Sequence, residues 1–331
     1  MAELDAWGEA GLTATLWWRD DDATEPNAPL RRLRDATEVG RVPITLSVIP
    51  AAASEGLAGF IDQWPGATPV QHGFSHTNHA PTGSGPAEFA SNRPLAGMIA
   101  DIATGDWIMK GLFGAHTLPV LVPPWNRIPA VVTAILGDYG FIGLSSHSAW
   151  DVAVGPSYRL RVRAAAFRAL TSLSTGLDRC RRTVGDSGPA GGKRRTIITV
   201  GATIDVIDWR LNRFLGERLI LEQVIRHLRM RRLGRGDAAS PTGLLTHHGV
   251  MDEPSWRFVE DFAVATRSHP AVRWLAAPQV FSPWPQWASG VRPLFPEGKC
   301  CVSLKSTGVT RRWPEPACES LRRSSSGGGP G

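Results

Sequence analysis

The stretch TATLWWRDDDA, residues 13–23, decides how the rest of the chain is read. TATLWW (13–18) has the threonine and aromatic content of a strand. It runs straight into Arg19, Asp20, Asp21 and Asp22. Adjacent carboxylates repel, and one of them needs a cation or a proton nearby. A metal ion would supply the cation; a solvated acidic turn is the plain alternative. Other strand candidates also end on polar clusters. TPVQ (68–71) runs into His72-Gly-Phe-Ser-His76, and LPVLV (118–122) into Pro123-Pro124-Trp125-Asn126. TIITVGATI (196–204) runs into Asp205-Val-Ile-Asp208-Trp209, and GLLT (243–246) into His247-His248.

VPITLSVI (42–49), FIGLS (141–145) and VRWLA (272–276) complete the strand set. Helical patterns fall between them, around 28–38, 94–110, 128–138, 216–233 and 254–267. In the fourth, Leu219, Leu221, Val224, Ile225 and Leu228 approximate a 3.6-residue stripe. Strands alternating with helices predict an α/β fold with a parallel sheet. Seven or eight such units fit a (β/α) barrel, in which the strand C-termini share the face that carries active sites. A doubly wound open sheet is the alternative, but no GxGxxG follows an early strand.

Composition narrows the function classes. At 331 residues and 42% hydrophobic, the chain can bury a sizeable core, and no run of about 18 apolar residues offers a membrane span. The opening MAELDAWGEAGLTATLWWRDDD has neither the basic nor the apolar region of a secretory signal, so a cytoplasmic location is expected. The net charge of +6 suggests nucleic acid at first sight. However, residues 156–200 hold ten Lys/Arg against two Asp/Glu, and 282–331 hold seven against three, which leaves the remainder net acidic. No nucleic-acid or membrane partner is expected. Cys180, Cys300, Cys301 and Cys318 lie in those same segments with no CxxC. A metal in the main body must therefore use histidine and carboxylate. Residues 160–195 read as an irregular basic insertion and 282–331 as a disordered tail.

His72 and His76, four apart, suit two ligands on one turn, and two histidines with one carboxylate suit catalytic zinc or another divalent ion. Chance clustering in a polar loop is the competing reading, and His79 has no assigned role. Pro123-Pro124 makes Trp125 the first free backbone donor of its loop, a candidate oxyanion-binding N–H. Asp205 and Asp208 could orient a histidine or cap a helix. His247 and His248 are candidates for a general acid.

In this order, the clusters resemble the motifs of the polysaccharide deacetylase family, the NodB-homology group of carbohydrate esterases, over residues 12–281. Asp21-Asp22 matches the aspartate pair, His72-GFS-His76 the histidine pair, Pro124-Trp125 part of the third motif, Asp205 and Trp209 the fourth, and Leu245-Thr-His247 the fifth. The resemblance implies a distorted (β/α) barrel of about seven parallel strands. It implies a divalent metal, zinc by preference, held by Asp22, His72 and His76. It assigns Asp21 as general base, the Trp125 N–H to the oxyanion, His247 as acid, Asp205 as tuner and Trp209 as its packing neighbour. The reaction would be removal of an acyl group, such as acetyl, from a small-molecule or oligosaccharide amide. One departure matters: the family's third-motif arginine is Val122 here, leaving Arg19 or Arg127 to orient the base, or else an inactive barrel that binds carbohydrate or protein. Asp20 and His248 compete with Asp21 and His247 for their roles.

Overall fold

The computed structural model describes residues 1–146, 197–235 and 240–282. The basic insertion, the tail beyond Ser282 and all four cysteines lie outside the described residues. The expected parallel sheet is present. Strand β1 (Ala14–Ala23) sits between β2 (Ile44–Val48) and β10 (Thr242–Thr246). From β2 the sheet continues through β3 (Ala67–His72), β4 (Val120–Val122), β5 (Gly143–Leu144) and β6 (Ile198–Thr199). Beyond β10 lies β7 (Ile204–Asp205), and β11 (Val272–Trp274) pairs with the first residues of β1. All these pairings are parallel. The small ribbon β8 (Ile207–Asp208) and β9 (Arg213–Phe214) is antiparallel.

The stretch TIITVGATI, expected as one strand, is two. Val200 N–H donates to Leu144 O on β5, and Thr203 N–H donates to Gly243 O on β10, both at 3.0 Å. The chain thus crosses from one edge of the sheet to the other within Val200–Thr203. Four residues reach at most about 14 Å, so the edges curl toward each other. This excludes the open-sheet alternative and gives a distorted barrel. Gly243 permits the crossing: a Cβ there would lie 2.8 Å from Ala202 Cα.

Helices α2 (Ala28–Gly40), α3 (Glu55–Asp62), α4 (Leu95–Phe113), α6 (Glu217–Arg232) and α7 (Glu253–Arg267) cover the barrel, preceded by α1 (Ala2–Glu9). The short α5 (Ala130–Thr133) and α8 (Ala277–Val280) complete the set. Asn27, Ser54 and Asp252 accept the Leu30, Leu57 and Ser255 amides at the starts of α2, α3 and α7. The stripe expected on α6 is out of phase. Leu219 and Ile225 are exposed, and the buried face is Ile220, Val224, His227, Leu228 and Arg231. Two polar members hid that face from a count of apolar residues. His227 Nδ1 contacts Thr242 Oγ1 at 2.8 Å, and Arg231 donates to Thr15 Oγ1 at 2.6 Å. No described helix is long and apolar enough to cross a membrane.

Along β1 the pleat sorts side chains by parity. Leu16 and Trp18 join the cluster beneath the helices, whereas Trp17 joins Val70, Val120 and Phe281. The strand does not stop at Trp18. It carries Arg19 and the aspartates inside it, and its register against β2 slips: Asp20 faces Leu46, but Ala23 faces Val48. One extra residue on β1 makes a bulge, and Asp22 takes it up with φ 72°. The bulge breaks the alternation between Asp21 and Asp22.

Candidate metal centre

His72 is the last residue of β3 and is almost fully buried. Its Nδ1 lies 3.0 Å from Val122 O. A carbonyl only accepts, so Nδ1 carries the proton, and Nε2 is the free position of the neutral ring. His76 follows a tight loop and holds φ 55°. Both Nε2 atoms face Asp22 Oδ1, at 3.2 Å from His72 and 3.4 Å from His76. Asp22 Oδ1 is buried, yet neither contact has hydrogen-bond geometry. The three groups converge as ligands do. A tetrahedral zinc with ligands at about 2.0–2.1 Å has ligand–ligand edges of about 3.3 Å. These are the described residues whose ligand atoms lie within 4.8 Å of one another in a group able to hold a metal. His79, exposed, is not among them.

Burial opposes charge on His72, but Asp21 and the contact with Asp22 raise its pKa. The same two carboxylates would attract a cation placed beside Nε2. Burial and the neighbouring His72 hold His76 below the usual imidazole range. Asp22 is driven well below the carboxylate range: burial works against this, and His72 overcomes it. The donor set, two imidazoles and one carboxylate whose buried Oδ1 has no hydrogen-bond partner, fits a divalent ion such as zinc.

Asp21 sits beside this group, 3% exposed. Its Oδ2 accepts from Arg19 Nη2 at 2.8 Å. The Arg19 guanidinium, fully buried, also donates to Ser145 Oγ at 2.7 Å and Asn126 Oδ1 at 3.0 Å. Of the two arginines open in the sequence, Arg19 is thus the one on Asp21. Arg127 is exposed, and its guanidinium lies against Gly85. Despite burial, the Arg19 charge and those of His72 and His247 lower the Asp21 pKa. Asp21 Oδ1 is buried without a hydrogen-bond partner.

His247 Nε2 lies 3.9 Å from Asp21 Oδ2, and its buried Nδ1 has no hydrogen-bond partner. The Trp209 ring meets it edge-on at 4.6 Å. Trp209 Nε1 donates to Asp205 Oδ2 at 2.7 Å, and Ile207 N–H donates to Asp205 Oδ1 at 2.9 Å. Asp205 thus reaches His247 through Trp209. Burial raises its pKa, against the charge of His247. Trp125, with φ 55°, packs its ring on His76 at 4.3 Å. The next two amides donate to Pro123 O and Pro124 O. Among the described residues, none accepts from the Trp125 N–H.

Asp20 and His248 lie apart from these groups. Asp20 accepts from His248 Nδ1 at 2.6 Å, Thr246 Oγ1 at 2.6 Å and His248 N–H at 3.0 Å. Asp205 and His247 connect through Trp209 and Asp21 to the Asp22-His72-His76 group. Asp20 and His248 bind each other instead, and Asp208 accepts from the Arg210 N–H. Sequence reasoning missed Ser145, Asn126 and Glu88. None had a signal beyond lying near a strand end or in a loop.

A distorted parallel barrel with an Asp-His-His group at the ends of its strands defines the class of the protein by architecture. No protein-family model matches the chain, and a search of curated proteins finds no match. Many of its neighbours among solved structures are polysaccharide or peptidoglycan deacetylases of carbohydrate esterase family 4. A peptidoglycan N-acetylglucosamine deacetylase is 13% identical, with TM-score 0.47, over 83% of this chain and 95% of that one. A family 4 carbohydrate esterase from Streptomyces lividans is 13% identical, with TM-score 0.46, over 80% and 94%. A mutant of a pseudoenzyme of that family, with restored enzymatic activity, is 13% identical, with TM-score 0.45, over 81% and 68%. Likeness at this level does not transfer an activity, so the side chains must carry the functional reading.

Proposed function

We propose that the protein is a metal-dependent hydrolase that removes an acyl group, acetyl by preference, from the nitrogen of an N-acylated sugar or related small molecule. One observation carries the reading: two imidazoles and a carboxylate converge on one point beside a buried aspartate with an unsatisfied oxygen. Asp22, His72 and His76 would hold the ion. Zinc bound there would polarise an acyl carbonyl and favour attack by water.

The remaining roles belong to side chains of the chain itself. Asp21 takes the proton of the attacking water on Oδ1, while Arg19 fixes Oδ2 and keeps the carboxylate ionised. The Trp125 N–H donates to the carbonyl oxygen as it gains charge. His247 gives a proton to the leaving nitrogen. Trp209, braced by Asp205, limits the swing of the His247 ring. Its indole is 50% exposed and offers an apolar face to a sugar ring. The inactive-barrel reading drew its support from Val122. Arg19 on Asp21 weakens that support.

Elemental analysis and acetate release from N-acetylated sugars test the reading together. The expected result is about one equivalent of divalent metal, lost with activity in His76→Ala. A well-folded wild type without metal, or with activity that survives complete chelation, would overturn it.

A further inference from the structure

Glu88 is fully buried, although it stands in an irregular loop with no motif around it. Its carboxylate accepts from Phe74 N–H at 3.1 Å, Ser75 N–H at 2.7 Å and Ser75 Oγ at 3.2 Å. Arg93 donates to the Glu88 main-chain carbonyl at 3.1 Å and pairs with Asp101 at 2.7 Å. The Glu88 charge is therefore met by successive amides, an anion nest. Those amides belong to the three residues that join His72 to His76.

The same loop is held elsewhere. Gly73 N–H donates to Val122 O at 3.0 Å, Gln71 Nε2 donates to Gly73 O at 2.8 Å, and Ala51 N–H donates to Phe74 O at 2.9 Å. Gly73 has φ +54°, and a Cβ on it would collide with the Glu88 carboxylate and Pro124. The loop thus closes on Glu88 as tightly as backbone allows. It delivers His76 in a left-handed conformation that a non-glycine residue keeps only when its surroundings over-determine it.

We infer that Glu88 is a positioning residue for the candidate ligand His76, acting through the Phe74 and Ser75 amides. The inference rests on the metal-site reading above. Glu88→Gln keeps the volume but removes the charge and turns an NH₂ group toward an amide donor. The ligand loop then loses an anchor while the barrel strands keep theirs.

The test uses the full chain titrated with cobalt(II), with affinity read by competition with a chelating dye and ligand geometry by visible absorption. Glu88→Gln is expected to bind about 10- to 100-fold more weakly, with altered cobalt bands and faster hydrogen exchange at Phe74 and Ser75. A folded Glu88→Gln protein with wild-type affinity and bands overturns the inference and leaves the metal centre standing. Wild-type protein that binds neither cobalt nor zinc overturns the metal centre, and the inference with it. Should Glu88→Gln fail to fold, Glu88→Asp keeps the charge but shortens its reach to the Phe74 and Ser75 amides. A loss of a few-fold in affinity then supports the inference, and an unchanged affinity overturns it.

Discussion

Two aspartate–histidine pairs lie side by side where β1 meets the end of β10, and they differ in what is left over. Asp20 and His248 are closed: the carboxylate has three donors, and both side chains are shut from solvent. Asp21 and His247 are open: 3.9 Å apart, each keeps a buried polar atom without a partner. Adjacent residues of a strand face opposite ways, so one pair falls beneath the helices and the other toward the site. Buried polar groups are ordinarily satisfied, and an unsatisfied one calls for an explanation. The first pair has its hydrogen-bonding capacity filled, and the second has some to spare.

That contrast can be broken by substitution. Asp21→Asn should lower turnover per folded molecule by about 10²–10⁴-fold, the range of a general base, while metal content stays near wild type. Equal activity would place the base elsewhere. Asp20→Asn should do the reverse. Breaking a buried charged pair costs about 3–5 kcal/mol, visible in urea unfolding, with activity per folded molecule retained. A stable but inactive Asp20→Asn protein would mean the two pairs have been assigned the wrong way round.

A smaller effect sharpens the role of Arg19. Arg19→Gln should reduce turnover by about 10-fold or more, as one charge-assisted contact is worth about 1.5–3 kcal/mol. Adding Val122→Arg should restore part of it, since Val122 lies beside His72 where β4 pairs with β3. No rescue would show that only β1 can supply the guanidinium.

The smallest effect is in pH. Burial disfavours the His248 cation, but Asp20 outweighs it and raises the pKa above that of the unfolded chain. The stabilisation is therefore complete below the unfolded value of about 6.5 and is lost as pH rises through the folded value. Urea midpoints should fall across that window, and His248→Asn should flatten the slope.

Much of this was legible in the sequence. The parallel strands and four of the five expected helices follow from periodicity, and the His72–His76 pair from a polar cluster beside a strand end, whereas Asp22 joined it through the family resemblance. The pattern at 128–138 is instead the short α5 and a 3-10 turn, and α1 and α3 gave no such signal. What stayed hidden depends on contacts that no local pattern encodes. The bulge at Asp22 sets which aspartates share a face, and it arises from pairing with β2. The split of 196–204 depends on β5 and β10, each far away in sequence. His227 and Arg231 are polar yet buried, because Thr15 and Thr242 receive them. Glu88 matters only once the loop after β3 folds onto it.

The order of the sheet has a consequence for how the molecule is made. β1 is synthesised long before two of its neighbours, β10 and β11, which come from the last described residues. Asp20 finds its partners 226 and 228 positions later. Contacts so distant in sequence form slowly, after a large loss of chain entropy. Until they form, the aspartate run sits on an unpaired strand edge whose charges discourage association with other chains. The same carboxylates would thus also help keep the nascent chain apart from its neighbours.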